Sequence, residues 1–256
     1  RVGGADERKK QRNTLKILFL ITARGGSKGV PGKNLRELGG ISLVGFKAIS
    51  ARKSKYCSRL IISTDSPEIQ ENARFYGVEV PFTRPTELAS DTAQSTDVIL
   101  HAMEWIENEA KEPYEAIMLL EPSSPFATYE DYDNAVELML RRHANVVYGM
   151  RPVEVPSMLV GPMDEQGCIS PIIDKIIAWN ASTRRQDLPQ EYTMNAALYL
   201  FRWDFFKEHK SLDCDPKTIY GYVMEPDYSV EIDHMSDLHR AEFLVEKKYV
   251  DLSFWK

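Results

Sequence analysis

From residue 16 onward, short apolar runs rich in β-branched residues alternate with segments whose apolar positions recur at helical spacing. Residues 16–23 and the run "RLIISTD" at 59–65 have the composition of strands, as do "VEVPFTR", "EAIMLLEP" and "NVVYGMR" further along. Residues 42–53, 66–76, 96–110 and 129–142 read as helices between them. In the third of these, Val98, Ile99, Ala102, Met103 and Ile106 mark one apolar face. Ser66 and Pro67 suit the N-cap and first position of the second. Strand and helix in this alternation predict parallel βαβ units with helices covering both faces of the sheet. Ligands of such sheets lie in the crevice beyond the carboxyl ends of the strands.

The alternation breaks over residues 153–185, where Pro156, Gly161, Pro162, Gly167 and Pro171 punctuate short strands and no strong helix is expected. Two readings stand for this excursion: an irregular surface insertion, or an arm, residues 153–180, that packs on a second subunit. "NAALYLF" and "TIYGYVM" restore strands, and residues 236–248 read as a closing helix. A chain of 256 residues with 43% hydrophobic content supports one core, hence a single domain over residues 16–256. Residues 1–15 are expected to form a polar tail, because the first fourteen hold five basic and two acidic residues and almost nothing apolar.

Composition also narrows the partners. A net charge of −6 argues against general nucleic-acid binding, which needs a basic surface, but leaves room for one small anion in a locally basic pocket. No apolar run is long enough to span a membrane and no signal peptide is visible. Cys57, Cys168 and Cys214 are odd in number and far apart, which suits reduced thiols in a cytoplasmic protein.

The first strand runs into "ARGGSKGVPGKNL", which holds four of the fourteen glycines, Gly25, Gly26, Gly29 and Gly32. Glycine lets backbone N–H groups approach a ligand closely, and successive free N–H groups form an anion nest. Arg24, Lys28 and Lys33 add positive charge to it, so the loop favours a polyphosphate. The spacing matches neither a Walker A loop nor a Gly-x-Gly-x-x-Gly dinucleotide fingerprint. None of the five histidines pairs with a serine or cysteine in a recognisable nucleophile motif.

This loop resembles the signature loop of the acylneuraminate cytidylyltransferases, the CMP-sialic acid synthetases. Four further stretches in the same order are similar to that family's motifs: "RPTELASDTAQS", "LLEPSSPF", "RRQDLPQEYTMNAALY" and "YSVEIDHMSDLHRAE". The resemblance implies a single α/β domain built like the nucleotide-diphospho-sugar transferases, with a seven-stranded, mostly parallel sheet, and a homodimer held by the arm. It implies transfer of CMP from CTP to a nonulosonic (2-keto-3-deoxy) sugar acid, with release of pyrophosphate and with Mg²⁺ as cofactor.

Carried onto this chain, Ala23, Arg24, Gly26, Ser27, Lys28, Lys33 and Asn34 are expected to hold the triphosphate, and Arg84 and Ser95 to read cytosine. Arg24, Lys33 and Asp233 are the expected catalytic residues, with Asp233 and Glu231 as metal ligands. Glu121, Arg185, Gln186 and Asn195 are expected at the sugar. The chain departs from the family's pattern at several places. Glu231 stands where the family usually has Asp, Glu121 where sialic acid enzymes carry Gln, Met158 where many relatives carry Lys, and Ala127 where an Arg is common. These departures put legionaminic, pseudaminic and amino-octulosonic acids beside sialic acid as expected substrates. They also leave open a CTP-binding protein of the same fold without turnover.

Overall fold

A computed structural model describes residues 15–179 and 189–256. The expectations for the polar tail, up to residue 14, and for Arg185 and Gln186 lie outside the described residues. In chain order the elements are β1 (Ile17–Thr22), β2 (Glu37–Leu38), β3 (Ile41–Ser42), α1 (Leu43–Lys53), β4 (Cys57–Ser63), α2 (Pro67–Phe75), α3 (Ser95–Trp105) and β5 (Ala116–Leu120). There follow α4 (Tyr129–Arg142), β6 (Val146–Pro152), α5 (Ser170–Ala178), β7 (Tyr192–Arg202), α6 (Trp203–His209), β8 (Ile219–Val223) and α7 (Met235–Glu246).

The main sheet has six strands in the order β4-β1-β5-β7-β6-β8. All neighbours are parallel except at β7, which runs antiparallel to both β5 and β6. Six strands, not seven, is the count among the described residues. The segment "VEVPFTR" contributes only a parallel bridge between Ile61 and Glu79. Glu79 exchanges two hydrogen bonds with β4, at 3.0 and 3.1 Å. Pro81, two residues on, has no N–H with which to continue the ladder.

Successive side chains of a strand point to opposite faces, and β1 feeds two cores accordingly. Ile17, Phe19 and Ile21 pack with residues of α1, α2 and α4, whereas Leu18 and Leu20 pack with residues of α3 and α6. Helices therefore cover both faces, as the alternation predicted. Leu15, placed in the tail by the sequence, is buried in the first core. Ser66 caps α2 by accepting from the Ile69 N–H at 3.3 Å, with Pro67 in the first turn.

The excursion contains a helix that the sequence did not announce. α5 has nine residues, with Pro171 in its first turn, where the missing N–H costs nothing. Its four isoleucines have strand-like composition but recur at helical spacing, and none of its residues is buried. No helix among the described residues is long and apolar enough to cross a membrane, and the three thiols are unpaired.

Candidate active site

β1, β5 and the segment after β8 end on the same side of the sheet, and the loops leaving them enclose two adjoining cavities. The first, about 270 Å³, is lined by Thr22, Ala23, Arg24, Ser27, Lys28, Gly29, Lys33, Asn34, Glu121, Pro122, Ser123 and Asp233. The second, about 290 Å³, includes Arg84, Ser90, Asp91 and Ser95 and shares Thr22, Arg24 and Glu121 with the first. The structure thus brings together most of the residues expected at the nucleotide, from two separate stretches of sequence.

The glycine loop is closed by specific contacts. The Gly25 N–H donates to Asp65 Oδ1 at 2.9 Å, and buried Asn34 donates its amide to the Arg24 carbonyl at 2.9 Å. Asn34 therefore braces the loop from within while lining the cavity. Gly29 lies against the segment before α7: a Cβ there would stand 2.0 Å from the Asp233 carbonyl oxygen. Only a residue without a side chain allows that approach. Lys33 crosses the same gap, donating to the Ile232 carbonyl at 2.7 Å and to Asp233 Oδ1 at 3.2 Å. Asp237 accepts from the N–H groups of Asp233 at 3.0 Å and His234 at 2.8 Å, which fixes the turn into α7.

Two residues that sequence reasoning did not single out matter here. Asp91 accepts from Arg24 at 2.8 Å and pairs with Lys28, and these partners hold its carboxyl below the usual carboxylate range. The other is Lys47, which is wholly buried on α1. The stretch "ELASD" offered a signal for Asp91, since it follows Arg84 in the same motif. Lys47 offered none, being one of three cations on α1, with Arg52 and Lys53, and the only one of them that is buried.

In the second cavity Arg84 is buried, donating to Ser63 Oγ at 3.0 Å and to the Ser63 carbonyl at 2.5 Å. Burial pushes its pKa down to about 10, opposed by Asp65 and reinforced by Arg24. Ser95 is exposed at the start of α3, facing the cavity.

Glu121, expected at the sugar, lines both cavities. Burial pushes its carboxyl up to about 7, and Glu231 adds to the shift while Lys47 and Lys33 oppose it. Burial likewise pushes Lys47 down to about 7, opposed first by Glu121 and then by Asp131.

Three expected residues line neither cavity. Gly26 is exposed with open space around it. Asn195 is fully buried and its amide is taken up inside the protein. It donates to the Met150 carbonyl at 3.3 Å, to Met224 Sδ and to Ser229 Oγ at 3.1 Å, and it accepts from the Ala197 N–H at 3.1 Å. Glu231 is half-buried, its carboxyl raised by burial and by Asp233 and lowered by Arg151 and Lys33.

No group of three or more metal-ligating side chains occurs among the described residues. A Mg²⁺ ion does not need one, since it takes one or two carboxylates and completes its shell with phosphate oxygens and water. The Asp233 carboxylate, more than half exposed and facing the phosphate-loop cavity, fits that demand.

Residues 18–252 match the family model described as Cytidylyltransferase. The chain is 32% identical to the post-translational flagellin modification protein B of Campylobacter coli, over 91% of this chain and 96% of that protein. It is 31% identical to the CMP-N,N'-diacetyllegionaminic acid synthase of Campylobacter jejuni, with the same two shares covered. Among solved structures, a CMP:2-keto-3-deoxy-manno-octonic acid synthetase complexed with CTP shares the fold with a TM-score of 0.64 at 15% identity, over 91% of this chain and 99% of that one. A family match over nearly the whole chain, on a sheet whose strand ends gather a glycine- and cation-rich cleft, places the protein among the cytidylyltransferases, a family of nucleotidyltransferases.

Proposed function

We propose that this chain transfers CMP from CTP to a nonulosonic acid, joining the sugar's anomeric hydroxyl to the α-phosphorus and releasing pyrophosphate. The observation that carries this reading is the pair of adjoining cavities. One holds Arg24, Ser27, Lys28 and Lys33 around a glycine loop, and the other, which shares Thr22, Arg24 and Glu121 with it, holds Arg84 and Ser95.

As the hydroxyl oxygen bonds to the α-phosphorus, the bond to the β-phosphate oxygen breaks and negative charge gathers on the leaving pyrophosphate. Fixed cations aimed at that charge are the largest contribution such a site makes. Lys33 is held by the Ile232 carbonyl and Asp233, so it is in place before substrate arrives. Arg24 and Lys28 are held by Asp91, whose charge the triphosphate replaces. Mg²⁺ bound by Asp233, with Glu231 nearby, would supply further neutralisation of phosphate charge. Arg84, anchored on Ser63, and Ser95 supply donors for the cytosine ring.

The substrate class draws support from the relative named as a CMP-N,N'-diacetyllegionaminic acid synthase. A homodimer is supported by the apolar residues that the arm leaves uncovered. The test is pyrophosphate release from CTP, ATP or GTP with a panel of nonulosonic acids, with and without Mg²⁺. Release should require CTP, Mg²⁺ and one of the acids together. Equal release from ATP overturns the cytosine assignment, and CTP binding without release from any acid overturns the transfer reaction.

A further inference from the structure

Lys47 is the most unusual side chain in the molecule. It lies at 0% exposure on α1, a helix with eight buried residues, and a buried ammonium is tolerated only where opposite charge or donors' partners meet it. Among the described residues it donates one hydrogen bond, to the Ala197 carbonyl at 2.8 Å, and its Nζ stands 5.9 Å from the centre of the Tyr132 ring. Two carboxylates act on it, Glu121 and Asp131. Asp131 is already committed: it accepts from Thr128 N at 2.7 Å, Thr128 Oγ1 at 2.8 Å and the Tyr222 hydroxyl at 3.0 Å.

Glu121 is the opposite case. Glu121 lines both cavities, and among the described residues no N–H or O–H donates to its carboxyl group. Its carboxyl oxygens face the two cavities and are left for donors that a ligand brings.

The carbonyl that Lys47 holds belongs to an irregular stretch of β7. Pairing with β6 skips from Tyr148–Tyr199 to Met150–Met194, and Ala196 within the skipped stretch has φ 53°. A non-glycine residue in the left-handed region persists only where its surroundings hold it. Here Ser124 Oγ donates to the Asn195 carbonyl at 2.8 Å on one side, and Lys47 grips the Ala197 carbonyl on the other. Ser124 itself is tied back to the Glu121 carbonyl through its N–H at 3.2 Å. The bulge, the loop after β5 and Glu121 are therefore joined through Lys47 and Ser124.

We propose that Lys47 is a positioning residue for Glu121, and that the two act as one unit selecting sugar acids that present a hydroxyl, amide N–H or ammonium donor to Glu121. This rests on the CMP-transfer reading above. Lys47 needs no contact with substrate for this role; through the Ala197 carbonyl, the β7 bulge and Ser124 it holds the segment that carries the carboxylate.

The experiment is a double-mutant cycle with Lys47→Met, Glu121→Gln and the double variant, read by thermal melting and by kcat/KM for the best sugar acid, with the CTP half-saturation measured alongside. Each single variant should lose about ten- to a hundred-fold in kcat/KM for the sugar acid, the range expected for one charge-assisted bond. The CTP half-saturation should move less than about two-fold, which a general structural defect would not spare. The double variant should lose no more than the worse single one, and its melting temperature should lie above the sum of the two single losses. Additive losses, or equal losses for CTP and sugar, overturn the proposal. If Lys47→Met does not fold, recovery of folding in the double variant supports the pair, and failure of both, with unchanged melting of Glu121→Gln, overturns it. If wild-type protein releases pyrophosphate with no acid in the panel, the CMP-transfer reading fails, while the melting cycle still decides whether the two charges are coupled.

Discussion

At the scale of single residues, the site depends on a few contacts with separable consequences. Lys33→Ala removes a cation that is held in place ahead of the chemistry, so kcat should fall by roughly 10²-fold or more. Among the described residues Lys33 bonds only to the Ile232 carbonyl and Asp233, outside the apolar core, so melting should change little. Loss of activity together with a collapse in melting temperature would make the residue structural. Gly29→Ala tests a different property, close approach. The new methyl group would meet the Asp233 carbonyl at 2.0 Å, and neither side is a flexible side chain that can step away. The loop and the Asp233 segment must separate. Activity should drop at least as far as in Lys33→Ala, with a stability cost of about 1–3 kcal/mol, typical of overpacking. Wild-type turnover in Gly29→Ala would show that the gap between loop and segment does not matter.

At the scale of elements, the ends of strands and helices do the positioning. β1 delivers the loop, β5 delivers Glu121, and the N-terminus of α7 delivers Asp233. Asp237 is the element-scale device, because its carboxylate reaches back to receive the N–H groups of Asp233 and His234, just ahead of α7. Replacing it with Ala leaves those groups unpaired, with a cost of about 0.5–2 kcal/mol for a lost helix cap. Because the same bond fixes the backbone of Asp233, Asp237→Ala should also raise the Mg²⁺ concentration needed for half-maximal activity. Thermal melting and a Mg²⁺ titration read the two effects separately. A stability loss with an unchanged Mg²⁺ response would detach the cap from the metal site.

At the scale of the whole molecule, the excursion after β6 leaves the most apolar side chains uncovered among the described residues. Val155, Val160, Met163, Ile173, Ile177 and Trp179 are all at least 42% exposed, on or beside a helix with no buried residue. Soluble monomers rarely leave so large an apolar patch uncovered. The chain should therefore be dimeric at micromolar concentration by light scattering, and Ile177→Asp, at a position 67% exposed in the single chain, should shift it toward monomer. A monomeric wild-type protein, or an Ile177→Asp variant that stays dimeric, would remove this face from the interface.

What the sequence by itself determined are features with a local physical cause. Strand and helix periods located all six main-sheet strands to within a few residues, and placed α4 with the very bounds it has. The glycine loop was legible because free N–H groups and clustered cations have a meaning that does not depend on the rest of the fold. Motifs in chain order then indicated the family. What the tertiary structure decided are features made by residues far apart in the chain. The seventh strand reduced to one bridge because Pro81 cannot donate, and the antiparallel course of β7 came from its two neighbours, not from its own period. Asn195, expected at the sugar, proved to be spent on Met150, Met224 and Ser229, three partners brought to it from both sides in sequence. Asp91 acquired its role only when folding set it against Arg24 and Lys28. Lys47 is the clearest case: on its own helix it reads as a surface charge, and only the packing of α1 against β1, β4 and α4 closes water away from it, so that the Ala197 carbonyl, from far along the chain, becomes its hydrogen-bond partner.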